Sequence, residues 1–271
     1  MAAIYSPSEK GFDERLTAID RCQVALLREI VGQYGSRLVL KDGMAMRAVF
    51  GSMRLTKDID FDRDASLSLD SAKNGLPKTL VRAASVAGIR QPDAQVTKLT
   101  AATIRARLSG QTNAGIPVRF EVEISGRGDA SPQERRKETV IAPPSYGMAP
   151  FLVESYSTDA LAAMKVAAAM SEARNVPRDI YDLYDLVKAG ARPARLLASA
   201  PVAVLERIQA GATDKLDGIG FDLAREELLP YLPASLRDTL TEDRWLDYTL
   251  AVGEALERWA AEALMLKGMP P

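Results

Sequence analysis

The sequence predicts an α+β protein with an N-terminal α/β lobe over residues 1–150 and an α-helical C-terminal lobe over residues 151–271. Strand-like and helical apolar patterns alternate up to about residue 150, whereas nearly every segment from Ser157 onward has helical spacing. A chain of 271 residues, of which 47% are hydrophobic, is also long enough to bury the cores of two lobes.

In the N-terminal lobe, apolar spacing predicts a leading helix over 13–33 that ends before Gly35. The short apolar run 37–43 predicts a buried strand, which leads into a helix over 44–50. A helix near 70–88 precedes two strands over 96–110 and 116–126, and residues 134–147 add one more short β segment.

The C-terminal lobe is expected to contain helices at about 158–174, 178–189, 192–211, 221–229 and 242–265. These segments are separated by residues that end or start helices, namely Pro177, Gly190, Pro193, Pro230 and Pro233. The sequence contains no internal repeat and no tract of low complexity, so no linker is predicted between the lobes.

The composition excludes several classes of function. The chain has no histidine, which excludes Ser-His-Asp and Cys-His catalysis and histidine-based zinc or iron sites. Its 35 basic and 36 acidic residues nearly cancel, so any contact with nucleic acid depends on a local patch. A single cysteine, Cys22, and the absence of a leader or a long apolar run predict a cytoplasmic protein that does not contact a membrane.

The sharpest motif is a run of four carboxylates, Asp58, Asp60, Asp62 and Asp64, that alternate with other residues. Side chains alternate faces along a strand, so all four are expected on one face. A divalent cation that bridges the first pair would turn their repulsion into binding, as in Mg²⁺-dependent phosphoryl-transfer sites. The alternative is an exposed strand end whose charges are simply hydrated.

Two other ligand motifs are excluded. An EF-hand that starts at Asp58 would need a glycine and a glutamate where the chain has Arg63 and Leu69. A Walker A loop needs a Gly-Lys dipeptide, and the sequence contains none.

Two further segments contain residues suited to the same chemistry. The sequence Lys41-Asp42-Gly43 ends the predicted strand, and a glycine at such a turn lets backbone amides approach a phosphate or simply caps a helix. The alternating strand near residue 120 places Glu121 and Glu123 on one face. Either glutamate could serve as a third carboxylate beside the aspartates. The alternative is that both lie on the half-exposed face of a sheet.

In the helical lobe, Lys165 is the only charged residue in the apolar stretch 160–170, so it must reach the surface or contact an anion. The helix that begins at Pro177 carries Asp179 and Asp182 three residues apart, hence on one face. We expect one of these carboxylates to pair with Lys165 in the absence of a nucleotide. The polar side of that helix is expected to face the Asp58–Asp60 strand.

These features occur together in one order: the segment LKDGMAMRAVFGSMRLTKDIDFD, the carboxylate strand, the lone helical lysine and the segment RDIYDLYDL. In this combination they resemble the nucleotidyl transferase AbiEii/AbiGii toxin family, which includes MenT-type tRNA nucleotidyltransferase toxins. The resemblance covers roughly residues 37–189. It implies a polymerase-β-like nucleotidyltransferase lobe, a mixed sheet with helices, followed by a helical lobe that contributes the Lys and RDxxD motifs to the cleft.

The resemblance also implies roles for particular residues. Asp58 and Asp60 correspond to the ligands of Mg²⁺, with Glu123 as the best third carboxylate and Glu121 close behind. Lys165 corresponds to a catalytic lysine that contacts phosphate. In the RDxxD helix, Asp182 corresponds to a further catalytic carboxylate, and Arg178 and Asp179 correspond to residues that bind the nucleotide. Lys41 and Gly43 match the first nucleotide-binding motif. The family motif reads Lys-Gly-Gly, and its first glycine is replaced by Asp42 in this chain, which places an acid near the expected phosphate.

The implied function is Mg²⁺-dependent transfer of a nucleotide from an NTP to an RNA by the toxin of a toxin–antitoxin or phage-defence pair. The expected acceptor is the 3′ end of tRNA. The expected partners are the NTP, the RNA and a cognate antitoxin protein. Local cations would supply the RNA contact, namely Arg174, Arg178, Arg135, Arg136 and Lys137. Two alternatives stay open: a nucleotide- or RNA-binding protein without turnover, suggested by Asp42, and an adenylyltransferase that modifies a small molecule such as an antibiotic.

Overall fold

The computed structural model describes residues 3–126, 134–172 and 174–268. The chain divides into two compact units, Met1–Tyr156 and Ser157–Pro271. The first unit extends beyond the predicted boundary at residue 150 because the segment Phe151–Tyr156 is a strand of its sheet.

The first unit combines a mixed sheet with three helices. The helices are α1 (Glu14–Tyr34), α2 (Asp42–Ala48) and α3 (Leu69–Val86). The strands are β1 (Leu38–Lys41), β2 (Asp58–Arg63), β3 (Arg90–Leu99), β4 (Thr103–Gln111), β5 (Pro117–Ser125), β6 (Arg135–Val140) and β7 (Phe151–Tyr156). They form a seven-stranded sheet in the order β3-β4-β5-β2-β1-β7-β6, in which β2 pairs in parallel with β5 and β1 with β7.

The two faces of this sheet differ in character, as the alternation of side chains along β2 and β5 predicts. Ile59, Phe61, Val122 and Ile124 are buried on one face, on the side where α3 packs against α1 and the neighbouring strands β3 and β4. The opposite side, which we call the polar face, carries the candidate carboxylates, among them Asp60. Burial of the apolar face therefore fixes which side of the sheet presents the acids.

The second unit is helical. Its helices are α4 (Thr158–Ala169), α5 (Pro177–Lys188), α6 (Ala194–Leu197), α7 (Val202–Asp217), α8 (Phe221–Glu227), α9 (Ala234–Arg237) and α10 (Glu242–Gly268). The long α10 packs along α7, and a Cβ on Gly253 would lie only 2.6 Å from Thr213 Oγ1, so this crossing requires glycine. Tyr184 of α5 stacks on Tyr248 of α10, with 4.0 Å between the ring centroids.

Three predicted elements differ from the structure, and one strand was not predicted. The single strand expected over 96–110 is a hairpin, since β3 ends at Leu99 and β4 begins at Thr103. Strand β7 was not predicted, because its pairing with β1 is a contact between distant segments of the chain. The helix expected over 192–211 is interrupted at Pro201, which precedes the start of α7. The helix expected over 158–174 ends at Ala169, and residue 173 lies outside the described residues.

No helix in the described part of the chain is long and apolar enough to cross a membrane.

Candidate active site

Pairing between strands brings the predicted carboxylates of the first unit together. In the parallel pair β2–β5, Asp58 lies opposite Glu121 and Asp60 lies opposite Glu123. On the other side of β2, Lys41 at the end of β1 lies opposite Asp60. Residues that are partners in register have their side chains on the same face, so four carboxylates share the polar face.

Asp60 is the electrostatic centre of this group. Its pKa is raised to about 7, first by desolvation and then by the negative charges of Asp42 and Asp58, with a smaller contribution from Glu123. Lys41 acts in the opposite direction but does not compensate. The carboxylates thus generate an excess of negative charge that a bound cation would relieve.

The two glutamates of β5 already have cationic partners. Two guanidinium nitrogens of Arg105, Nε and Nη2, donate to Glu123 Oε2 at 2.9 and 2.7 Å. Arg107 donates to Glu121 at 3.1 Å. Within residues 3–126, 134–172 and 174–268, no group of three or more His, Cys, Asp or Glu side chains converges to hold a metal ion. A cation would therefore be held by two aspartates, unless Glu123 leaves Arg105.

The remaining carboxylates of the motif have structural contacts. Asp62 is buried, accepts a hydrogen bond from Lys41 Nζ at 2.6 Å and a second from the Tyr156 hydroxyl at 2.6 Å. Asp64 follows β2 and accepts from Arg135 at 2.6 Å. Lys41, expected at the nucleotide, is thus bound to Asp62 in this structure.

The glycine of the first motif is required by packing. A Cβ at Gly43 would lie 2.6 Å from Thr56 Oγ1 and 2.9 Å from a guanidinium nitrogen of Arg54. Both side chains belong to the loop that precedes β2, so Gly43 lets this loop lie directly against α2. Asp42 has a φ of 53°, in the left-handed region that glycine adopts most easily and that aspartate tolerates.

A buried residue that the sequence did not single out anchors α2. The Arg47 guanidinium is fully buried, pairs with Asp20 of α1 at 3.0 Å and lies 3.8 Å from the centroid of the Tyr5 ring. The Tyr146 hydroxyl donates to the same aspartate. An arginine within an amphipathic helical segment usually lies on the surface, so no sequence pattern indicated this network.

The second unit contains the predicted lysine and its partners. Lys165 Nζ lies 2.8 Å from Asp179 and 2.9 Å from Asp182, and these three residues are at most 4% exposed. Arg174 adds a contact of 2.7 Å to Asp179. Both expected carboxylate partners of Lys165 are therefore confirmed. Arg178 Nε is buried and has no hydrogen-bond partner among the described residues.

The fold of this chain is similar to the folds of known proteins. Two structures from Helicobacter pylori match almost the whole chain. JHP933 has 16% sequence identity and a TM-score of 0.61, and the match covers 94% of this chain and 97% of JHP933. A protein described as a nucleotidyltransferase has 17% identity and a TM-score of 0.59, and the match covers 93% of this chain and 98% of that protein. At such identities the match shows the fold. No curated protein matches the sequence.

A family model gives the assignment. The model of the nucleotidyl transferase AbiEii toxin, of type IV toxin–antitoxin systems, matches residues 25–267. This range includes the carboxylates of β2 and β5 and the lysine of α4 with its aspartates. The chain therefore belongs to the AbiEii nucleotidyl transferase toxin family.

Proposed function

We propose that this toxin transfers a nucleotide from an NTP to an RNA in a Mg²⁺-dependent reaction, with the 3′ end of tRNA as the acceptor. The observation that carries the proposal is the pair Asp58 and Asp60 on the polar face, in register with Glu121 and Glu123. Nucleotidyl transfer requires carboxylates and cations but no histidine, and this chain has none.

The residues present fit a magnesium ion. Mg²⁺ is typically bound by one or two carboxylates together with water and substrate phosphates, which matches a site of two aspartates. The pKa of Asp60 is raised to about 7 by desolvation and then by the negative charges of Asp42 and Asp58, and a bound cation would offset both effects. Bound there, Mg²⁺ would stabilise charge on the attacking and leaving oxygens of an in-line displacement. A carboxylate of the group would accept the proton from the acceptor hydroxyl.

Roles in nucleotide binding and catalysis are also proposed for the other predicted residues. Lys165 would contact phosphate, and Asp182 would position it, since both carboxylates of α5 hold its ammonium group. Arg178 is a suitable phosphate donor because its buried Nε has no partner among the described residues. Gly43, Lys41 and Asp179 complete the proposed nucleotide contacts, and Glu123 remains the proposed third metal ligand, which requires that it exchange Arg105 for the metal.

Membership in a type IV toxin–antitoxin family supports a cognate antitoxin as the physiological counterpart of this protein. It also supports a cytoplasmic site of action, in agreement with a chain that contains a single, buried cysteine. We propose that growth inhibition by the toxin follows from modification of the RNA acceptor, and that the antitoxin counteracts this effect.

The proposal is tested by incubating the purified protein with Mg²⁺, each α-labelled NTP and bulk tRNA. We expect label in tRNA with the wild type and none with Asp60→Asn. The matched control is Asp93→Asn, which removes the same charge from an exposed position on β3. Equal transfer by wild type and a folded Asp60→Asn protein would contradict the assignment of this site.

The same assay separates the two alternatives. Nucleotide binding without transfer to any acceptor would indicate a protein that has lost turnover, as the acid at Asp42 suggests. Transfer to aminoglycoside-like small molecules but not to tRNA would indicate an antibiotic-modifying enzyme on the same fold. Either result would replace the RNA acceptor proposed here.

A further inference from the structure

A diagonal line of cationic side chains crosses the polar face of the first unit, next to the candidate carboxylates. Across β3, β4 and β5, Lys98 lies opposite Arg105, which lies opposite Glu123, while Arg107 lies opposite Glu121. Arg119 lies two residues before Glu121 on β5 and therefore on the same face. We call Lys98, Arg105, Arg107 and Arg119 the cationic ladder. Adjacent members are separated by one strand spacing or one diagonal step, about 5–8 Å.

The ladder remains accessible from solvent. The side chains of Arg105 and Arg107 are 39% and 35% exposed although they contact the glutamates. Lys98 and Arg119 are exposed and form no ion pair with any residue that the structure describes. Asp93, on the same face of β3, is also exposed and accepts a hydrogen bond from Gln95. Two of the four cations thus have no counterion in the described part of the chain.

The ladder begins beside the candidate aspartates and extends away from them. Arg105 lies two strands from Asp60, at a backbone distance of about 10 Å, and Glu123 lies between them. Arg119 is nearer, one diagonal step of about 7–8 Å from Asp58, because it lies two residues before the Glu121 that pairs with Asp58. A polyanion that follows the ladder from Lys98 to Arg119 would therefore reach the edge of the candidate metal site. The ladder fits a second polyanion that approaches the same face of the sheet.

The opposite flank of the sheet is less suitable. A cleft of about 370 Å³ there is lined by Arg37, Arg135 and Lys137, but also by Asp64 and Glu154. Arg135 is held by Asp64 at 2.6 Å and its side chain is only 15% exposed. Arg136, between the two other cations of β6, lies on the other face of that strand. The basic run considered in the sequence is thus divided between two faces.

We propose that the cationic ladder binds the phosphate backbone of the acceptor RNA and directs its 3′ end toward Asp58 and Asp60. This inference rests on the proposed function for the identity of the polyanion. It adds a surface, formed by β3, β4 and β5, that the transfer reaction itself does not require. The contacts are to phosphates, so they would be independent of sequence and would weaken with salt.

The test measures binding of bulk deacylated tRNA to the full chain at several KCl concentrations without NTP, by fluorescence anisotropy. The ladder variant is Lys98→Gln with Arg119→Gln, both at exposed positions. One control is Arg136→Gln with Lys137→Gln on the other flank. A second is Arg207→Gln with Arg225→Gln, two exposed arginines of the helical unit. Each variant removes two positive charges, so the net charge of all three is matched.

For the ladder variant we expect binding about tenfold weaker and a slope of log K against log salt that is smaller by roughly 1.5, as the loss of two phosphate contacts requires. Both controls should stay close to the wild type. Equal losses in all three variants would show diffuse electrostatic attraction and overturn the proposal. A loss confined to the β6 variant would place the RNA on the other flank and would also overturn it.

The transfer assay with the same proteins distinguishes failure of this inference from failure of the proposed function. If the wild type transfers a nucleotide to tRNA, the ladder variant should have a raised KM for tRNA and an unchanged kcat. An unchanged KM would refute the ladder while transfer itself stands. If only the ladder variant loses tRNA binding and no protein transfers a nucleotide, the result would support the ladder as an RNA-binding surface and refute the proposed transfer to tRNA.

Discussion

Two aspartates at the candidate site have environments that lower the stability of the folded protein. Asp60 is partly buried beside Asp42 and Asp58, and its pKa is raised to about 7. Asp42 itself adopts a left-handed backbone conformation with a φ of 53°. Unfavourable electrostatics and backbone strain are typical of functional sites, because the residues that bind a ligand are often not those that make the free protein most stable.

The raised pKa of Asp60 leads to a pH-dependent prediction for the metal-free protein. Because the folded state binds this proton more tightly than the unfolded state, whose pKa is about 3.9, the contribution of Asp60 to stability is present below pH 4. It is lost as the pH rises through about 7. In EDTA, Asp60→Asn should therefore be more stable than the wild type at pH 8, by roughly 2–4 kcal/mol, and should gain little at pH 4.

Thermal and urea unfolding of both proteins between pH 4 and pH 8 measures this difference. Asp93→Asn, at an exposed position, serves as the control and should track the wild type at each pH. A gain for Asp60→Asn that does not change with pH would show that Asp60 is not strained by its neighbours in the folded protein.

Lys165 gives a second prediction at the scale of single residues. Its removal takes away the ammonium group that lies 2.9 Å from the buried Asp182, whereas Asp179 keeps its contact of 2.7 Å with Arg174. Lys165→Met should lower the free energy of unfolding by about 3–5 kcal/mol. Lys165→Met combined with Asp182→Asn should recover most of that loss, because the buried carboxylate that faced the ammonium group is then neutral. Urea denaturation of the three proteins checks this, and a double variant no more stable than Lys165→Met would contradict it.

At the scale of elements, the site depends on short segments held by long-range contacts. Helix α2 has only seven residues and would not be stable alone. Its buried Arg47 joins it to Asp20 of α1 and to the backbone carbonyl of Tyr5. The arrangement fixes the helix on which Gly43 packs against the loop before β2. Contacts of Arg47 with residues distant in the sequence therefore hold α2, and with it Gly43, in place.

We expect Arg47→Met to lower the free energy of unfolding by about 3–5 kcal/mol, since Asp20 would keep a buried charge without its cation. Replacing both partners, as in Arg47→Met with Asp20→Leu, should cost much less. Calorimetric or chemical unfolding measures both effects. If the single and double variants lose the same stability, the ion pair does not anchor α2.

Period-two alternation is a local property, and for this reason the sequence predicted that Asp58 and Asp60 share a face and that Glu121 and Glu123 share another strand's face. Three-residue helical spacing likewise predicted Asp179 and Asp182 as partners of Lys165, and both contacts are present. The pairing of Glu123 with Arg105 was not predictable, because it depends on the register between β4 and β5, and alternation within each strand does not determine that register.

The whole molecule consists of a sheet unit that carries the acidic residues and a helical unit that carries a buried lysine. The family model extends over both units, from residue 25 to residue 267. The nearly balanced charge of the chain conceals a local separation on the sheet: carboxylates on β2 and β5, and cations on β3 to β5. An anionic substrate would therefore encounter this local charge distribution, which the net charge of the chain does not indicate.

The fate of each phosphate of the NTP tests the central claim most directly. The protein is incubated with Mg²⁺, bulk tRNA and NTP labelled either at the α or at the γ position. Nucleotidyl transfer predicts that the α label enters tRNA while the γ label is released in pyrophosphate, and that Asp60→Asn, but not Asp93→Asn, abolishes both. Entry of the γ label into tRNA, or transfer undiminished in Asp60→Asn, would contradict the account.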